Sequence, residues 1–517
     1  MVSKLVKGSA IILVGNVLFR VGGYIYRFIM AMLLGPSAYG ILGLVSPFQG
    51  IFQILSAGGL PPAIAKYVSE YNALDKQDLS RQTVFTSLKI MLLLGIFFAL
   101  IMVFIVAPYI TYNHYHKPEA LLPLQAVGLI VPFSAIVGGF RGAFQGVYKM
   151  EYILYTRAIE QISMILFATC LVIIGLSALG AVLGSVFAFL ASLIAAVYIF
   201  KKYMNNYLPK PSENFKLSLK EELILSKKLI LYAIPVSITA LAEMGVYTIC
   251  TFIMGVFLVS SLIGYFLAAD PISRLPLIIS SSLATSILPA IAEAYVTYNK
   301  YLLNRWIVNS YKYGLFFVIP TCLGISVFAK EILGLIFFIN LEYMRGAGAL
   351  SILVIGMGFY SIYAISATII QGIGKPKIPM YILIIGAVIT FILGWFLIPI
   401  WGIEGAALTT SISSFIMAIP MFLIQFKITK TNPPYKFLLK ILISSIIMVI
   451  PALLLPDNSI GLLIGIVICP IIYLLSITLL KTLTHDDVCW FKNLCEKTWI
   501  FKKYILFILN LIEKYSK

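Results

Sequence analysis

Apolar windows recur along the whole chain, separated by short polar connections. They lie at 9–33, 40–65, 84–108, 121–145, 154–177, 179–200, 230–257, 262–290, 312–338, 347–371, 378–399, 403–426, 436–455 and 460–480. Each is long enough to cross a bilayer as an α-helix, so the expected fold is all-α and integral to the membrane, with fourteen transmembrane helices. Prolines interrupt several windows (Pro47, Pro132, Pro235, Pro271, Pro276, Pro320). Neighbouring helices can satisfy the backbone groups a proline frees, and such positions mark kinks.

The first window carries Arg20 and Arg27. On a helix of about 3.6 residues per turn, Asn16, Arg20, Gly23 and Arg27 fall within about 60° of one another. At about 1.5 Å per residue, Arg20 lies about 18 Å beyond Gly8, near mid-membrane. An arginine there costs on the order of 3 kcal/mol on insertion scales, so it must face a protein interior or a wet cavity. Arg27 is nearer the far end and can also snorkel to the interface. The stripe reads as one wall of a cavity for an anionic ligand.

Charge in the connections sets the orientation. Lysines and arginines crowd the N-terminus and the even-numbered connections, from Lys4 and Lys7 through Lys201, Lys202, Lys227 and Lys228 to Lys427 and Lys430. The odd-numbered connections hold Lys117 and Arg345 only. The positive-inside rule then places both termini in the cytoplasm, in the cell membrane. The net charge of +18 is therefore a topology signal, and no nucleic-acid partner is expected. A chain 61% hydrophobic and 11% charged, against about 25% charged in soluble domains, fits the same reading. The first window lacks a short core followed by a small-residue cleavage site, so no cleavable leader is expected.

An internal repeat organises the windows. Residues 62–72 read PAIAKYVSEYN and residues 289–299 read PAIAEAYVTYN; Gln145-Gly146-Val147-Tyr148-Lys149 is echoed by Gln371-Gly372-Ile373-Gly374-Lys375. Both echoes lie at nearly one offset and pair windows two with eight and four with ten. Six windows per repeat, an even number, make the repeats parallel in topology. The expected organisation is a six-helix lobe at 1–200, a cytoplasmic amphipathic linker at 201–229, and a second six-helix lobe at 230–426. Two extra helices at 427–480 and an amphipathic tail at 481–517 follow. Anionic headgroups of membrane lipids would attract the linker and tail.

The second half adds Glu243 in window seven, and Asp270 with Arg274 in window eight. Asp270 and Arg274 are one turn apart on one face, where they can pair. The repeat maps Glu243 onto Asn16, so if the lobes face one another, Glu243 and Asp270 oppose Arg20 and Arg27. Arginine suits a phosphate or pyrophosphate, because its planar fork donates two hydrogen bonds and stays charged. The alternative is a set of inter-helix ion pairs that fix packing. Arg141, Arg157 and Glu160 read as interface anchors or structural pairs, as do Glu404 and Lys330 near outer ends. The Gln-Gly turns read as helix ends; Gly372-Ile373-Gly374-Lys375 is no phosphate loop, since position 369 is Ile and no strand precedes it.

Enzyme signals are weak. His114 and His116 lie in an outer loop without metal-ligand spacing, and His485 lies in the tail. Cys170, Cys250, Cys322 and Cys469 sit inside windows, Cys489 and Cys495 in the tail, and none has zinc spacing. No cofactor or metal is expected.

Lys7-Gly8-Ser9 leading into a long span, then Leu34-Gly35-Pro36-Ser37-Ala38-Tyr39-Gly40, resembles the start of the polysaccharide and oligosaccharide flippases. Gln145-Gly146 and Gln371-Gly372-Ile373-Gly374-Lys375-Pro376 resemble that family's helix-ending turns. These proteins belong to the multidrug/oligosaccharidyl-lipid/polysaccharide exporter superfamily, with the O-antigen flippases, sporulation protein B and the lipid II flippase. The resemblance implies two six-helix bundles around a central cavity that opens alternately to each side. It also implies a lipid-linked sugar as substrate, with Arg20, Arg27 and Arg274 at its headgroup; Asn16 joins them as substrate-binding by its place on the same stripe. Glu243 and Asp270 are left for Na⁺ or H⁺ coupling or a salt-bridge gate. The chain is read as a non-enzymatic transporter and a monomer. The rivals are a cation-coupled drug exporter of the same superfamily, with twelve spans and an acidic cavity, a membrane-embedded glycan polymerase or ligase, and a scaffold without transport.

Overall fold

The computed structural model describes residues 2–209 and 218–482, with the side chains of all except 2–18, 20, 206, 246–247, 282–286 and 289. The side chains of Asn16 and Arg20, and the tail with His485, Cys489 and Cys495, lie outside the described residues. Every regular element among the described residues is helical.

The chain opens with α1 (Val2–Ser56), α2 (Leu60–Ala73) and α3 (Gln77–Ile101). Helix α3 continues through a π-helical turn at Met102–Val106, α4 (Ala107–Tyr109) and a second π-helical turn at Ile110–Tyr115. There follow α5 (Leu121–Gly146), α6 (Met150–Leu171), α7 (Ser177–Tyr203), α8 (Leu219–Phe257), α9 (Ser260–Ser273), α10 (Leu275–Val296), α11 (Lys300–Val327) and α12 (Ala329–Ile336). The last are α13 (Ala347–Gly372), α14 (Lys377–Thr429), α15 (Tyr435–Ala452) and α16 (Ser459–Leu479). Among the described residues, eleven stretches are long and apolar enough to cross a membrane, so the protein is a multi-pass membrane protein. Three of these stretches break at a glycine in a conformation closed to most L-residues: Gly35 (φ 68°), Gly175 (φ 103°) and Gly402 (φ 58°). Each break falls at or near the boundary between two of the windows read from hydropathy.

The repeat is also written in the backbone. Gly175 and Gly402, 227 residues apart, both have positive φ, as do Tyr148 (φ 61°) and Gly374 (φ 82°), 226 apart. After α5 the Lys149 N–H donates to Phe144 O (2.9 Å) and the Tyr148 N–H to Gln145 O (3.0 Å). After α13 the Lys375 N–H donates to Ile370 O (3.1 Å) and the Gly374 N–H to Gln371 O (3.0 Å). These paired bonds close each helix end with a left-handed residue. That residue is Tyr148 or Gly374. Gly146 and Gly372 are the last helical residues, and each sits tightly against a neighbouring helix, Gly146 on Val68 and Gly372 on Ile291.

The chain forms two compact units: Met1–Ala268 with Phe391–Ile403, and Ala269–Thr390 with Glu404–Lys517. In the first, Leu60, Ile64 and Tyr67 of α2, Met91 of α3, Phe140 and Phe144 of α5, Phe200 of α7, and Leu225, Leu229 and Ala233 of α8 share one core. The second half of the predicted linker is thus the first turns of α8, continuous with span seven and started by a capping box between Ser218 and Glu221. Its amphipathic pattern arises because Leu225 and Leu229 are buried while Leu219, Leu223 and Ile224 point outward. In the second unit, Phe316 and Phe328 meet Ile441 and Met448 of α15 and Leu462 and Tyr473 of α16. The Tyr473 hydroxyl donates to Phe316 O (2.7 Å), fixing the last helix to α11.

Within the first unit α1 and α8–α9 approach backbone to backbone. A Cβ on Gly40 would overlap Ser260 O, one on Gly264 would overlap Pro36 O, and one on Gly59 would overlap Ala233 O. The Gly59 N–H donates to Ser237 Oγ at 2.9 Å. Only glycine permits such approaches.

Candidate functional site

Helix α1 has two distinguishable sides. Gly22 and Tyr26, one turn apart, face inward: a Cβ on Gly22 would meet Gln161 Cγ of α6 at 2.9 Å, and the Tyr26 hydroxyl donates to Ala181 O of α7 at 3.4 Å. Gly23, on the predicted stripe, has nothing within 4 Å of where a Cβ would stand. Arg27, a turn further along, is exposed. The described part of the stripe therefore borders open space while the adjacent face is packed, as helical periodicity requires. The side chains of Asn16 and Arg20 lie outside the described residues.

The Asp270–Arg274 pair forms. Arg274 Nε and Nη2 both donate to Asp270 Oδ1, at 2.9 and 2.8 Å. Arg274 stands between α9 and α10, with Pro271 and Pro276 on either side, and the side chains are 28% and 14% accessible. The Ser273 hydroxyl donates to Asp270 O (2.7 Å), a local bond that accompanies the interruption. Glu243 is exposed on α8, beside Met244, whose methyl group occupies the space a side chain at Gly50 would need. Arg27 and Glu243 belong to the first unit, and Asp270 and Arg274 to the second.

The cluster of Arg141, Arg157 and Glu160 resolves into two parts. Arg141 Nη2 donates to Glu160 Oε2 (2.6 Å) and to Ser192 Oγ (3.2 Å), and its Nε to Thr156 Oγ1 (3.1 Å). This is a satisfied inter-helix ion pair joining α5, α6 and α7, the kind that a low-dielectric interior demands. Arg157 lies within electrostatic reach of both Arg141 and Glu160 but hydrogen-bonds neither, and its guanidinium is 5.7 Å from the Phe19 ring centroid.

Three contacts have no signal in the sequence. Arg81 is buried and donates to Asn205 Oδ1 (3.0 Å) and Leu208 O (2.5 Å), holding the chain as it leaves α7. Lys117 is buried and donates to Gly255 O (2.6 Å), with burial lowering its pKa. Lys228 donates to the Tyr71 hydroxyl (3.1 Å) and lies over the Tyr67 ring. Each pairs a basic residue with a partner more than a hundred positions away, which periodicity cannot reveal. Among the described residues, no cluster of His, Cys, Asp and Glu is arranged to hold a metal.

A polytopic helical protein with ionisable groups inside its spans is the class of a membrane transporter rather than of a soluble catalyst. The family model of polysaccharide biosynthesis proteins matches residues 5–295, and the MatE model matches residues 235–396. An uncharacterized membrane protein of Methanocaldococcus jannaschii is 31% identical over 433 residues, covering 81% of this chain and 97% of its own. The lipid II flippase of Bacillus subtilis is 25% identical over 458 residues, 80% of each chain. The solved lipid II flippase in an inward closed conformation shares the fold, with a TM-score of 0.74 and 19% identity over 90% of this chain and 97% of that one. The chain belongs to the polysaccharide biosynthesis protein family.

Proposed function

We propose that the protein is a flippase that carries a polyprenyl-pyrophosphate-linked oligosaccharide or polysaccharide precursor from the inner to the outer leaflet of the cytoplasmic membrane. It works by alternating access between the lobes 1–200 and 230–426, acts as a monomer, and keeps both termini in the cytoplasm. Arg20, Arg27 and Arg274, with Asn16, bind the pyrophosphate, while the lipid tail stays in the bilayer. The observation that carries this reading is a basic stripe on the first span in a chain akin, over most of its length, to a lipid II flippase. Only a difference in affinity between the two states biases such a cycle, so Na⁺, H⁺ or the membrane potential supplies direction through Glu243 and Asp270.

The MatE match over 235–396 favours one second reading, a cation-coupled multidrug exporter. Depleting the protein in its host separates the two. The flippase reading expects a lipid-linked sugar to accumulate on the cytoplasmic side, with drug tolerance unchanged. Unchanged lipid-linked sugars together with intracellular accumulation of a cationic dye would overturn it in favour of drug export.

A further inference from the structure

Arg157 is the feature that the fold leaves without a structural task. It lies seven residues into α6, about 10 Å along the helix axis from Met150. Its neighbour Arg141 takes Glu160, Thr156 and Ser192 as partners. Arg157 has no hydrogen bond or ion pair among the described residues; its close contact is the face of Phe19, 5.7 Å from guanidinium carbon to ring centroid. Its side chain remains exposed. The carboxylate within its reach, Glu160, is bonded to Arg141, so the Arg157 guanidinium keeps its own donors for water or an anion.

Three placements decide which. Phe19 is adjacent in sequence to Arg20 and about 40° round the helix from Gly23, the stripe position that borders open space. This cation–π contact therefore sets Arg157 against the flank of the stripe, at the depth of Arg20 along α1. Gln161, one turn beyond Arg157 on the same face of α6, lies directly over Gly22 and fixes the approach of the two helices. Its Nε2 is buried and has no hydrogen-bond partner, so this face offers a second donor. Two donors on α6, set against a helix whose own stripe is basic, make a surface for a multi-oxygen anion.

We infer that Arg157 is a phosphate-recognising residue of the transport site, held in place by Phe19 and presented from α6 beside the stripe of α1. The inference rests on the reading of that stripe as the headgroup site, and extends it to a helix that the stripe does not include. The ligand chemistry is a phosphate ester or anhydride at the membrane's inner half. Its source is either the diphosphate of the carried lipid or the phosphate of a bulk anionic lipid.

The test uses the full-length protein in phosphatidylcholine nanodiscs, with undecaprenyl diphosphate and, in parallel, dolichyl diphosphate as titrants. Arg157→Gln is expected to weaken binding about ten- to hundredfold, the loss of a charge-assisted donor, and Arg157→Lys by about threefold, since charge survives and the fork does not. Phe19→Leu, which keeps every charge, is expected to weaken it about threefold by removing the cation–π contact that positions the guanidinium. Unchanged affinity in Arg157→Gln, with wild-type binding intact, overturns the role of Arg157 and leaves the headgroup reading standing. Failure of the wild type to bind either diphosphate overturns both. Displacement of the diphosphate by equimolar phosphatidylglycerol, in wild type and not in Arg157→Gln, assigns Arg157 to bulk lipid and overturns the inference. If Arg157→Gln does not fold, the Arg157→Lys and Phe19→Leu pair decides, and wild-type affinity in both counts against it.

Discussion

Arg274 reaches Asp270 through two donors on one oxygen, Nε at 2.9 Å and Nη2 at 2.8 Å onto Oδ1. The pair stands at the interruption between α9 and α10, neither fully buried nor freely solvated. An exposed pair is worth up to about 1 kcal/mol and breaking a buried one costs about 3–5, so this one should fall between. A double-mutant cycle of Asp270→Asn and Arg274→Gln, followed by thermal unfolding in detergent, is expected to give a coupling of about 1–3 kcal/mol. Coupling below about 0.5 kcal/mol would mean that the contact does not hold the two helices.

The glycines of α1 make a sharper contrast. Gly23 has room for a side chain and Gly40 does not, because a Cβ there would overlap Ser260 O. Gly23→Ala should raise stability by up to about 1 kcal/mol, as alanine does in a helix interior. Gly40→Ala should lower it by several times the cavity-free cost, about 2 kcal/mol or more, because backbone must move. Gly23→Leu should still fold, and on the transport reading it should obstruct the stripe and abolish export. Melting curves and an export assay on the same membranes separate these outcomes; a folded, fully active Gly23→Leu protein would show that the open space beside Gly23 is not the route.

Much of this architecture is legible in the chain. Span positions follow from long apolar windows, and the Asp270–Arg274 contact follows from one-turn spacing. The two Gln-Gly-x-x-Lys turns are visible as echoes, because the same hydrogen bonds close both helices. The left-handed residue in the first of them is Tyr148, which no glycine signal marks. The merging of the linker into α8 is not legible either: Leu225 and Leu229 look like one face of a surface helix until their core partners on α2 and α3 are known. The division between compact units falls at Ala268, inside span eight, since the backbone approaches of Gly40 and Gly264 tie the start of that span to α1. Within the site, sequence spacing groups Arg157 with Arg141 and Glu160, and only the geometry shows that Arg141 alone hydrogen-bonds the carboxylate.

Lys117 extends from the loop after span three to Gly255 O, in the last turn of α8, at 2.6 Å. The carbonyls of a helix C-terminus carry partial negative charge and favour a cation there. Tyr115 packs beside it against Phe48 and Phe252, so loop and helix are joined by apolar and polar contacts together. Lys117→Met keeps the apolar stem and removes the charge; it should cost about 1.5–3 kcal/mol of stability, the range for a hydrogen bond to a charged donor. A melting temperature equal to wild type would contradict the contact's structural weight.

The central claim is that guanidinium groups in the spans bind the diphosphate of a lipid-linked sugar as it crosses. The most direct measurement is leaflet transfer of a fluorescent polyprenyl-diphosphate-linked oligosaccharide in proteoliposomes, comparing wild type with Arg274→Ala at equal reconstitution. Transfer by the wild type, reduced at least about tenfold in Arg274→Ala, is the predicted result, since loss of a bidentate phosphate contact removes about 1.5–3 kcal/mol of binding. Equal transfer by both proteins would contradict it.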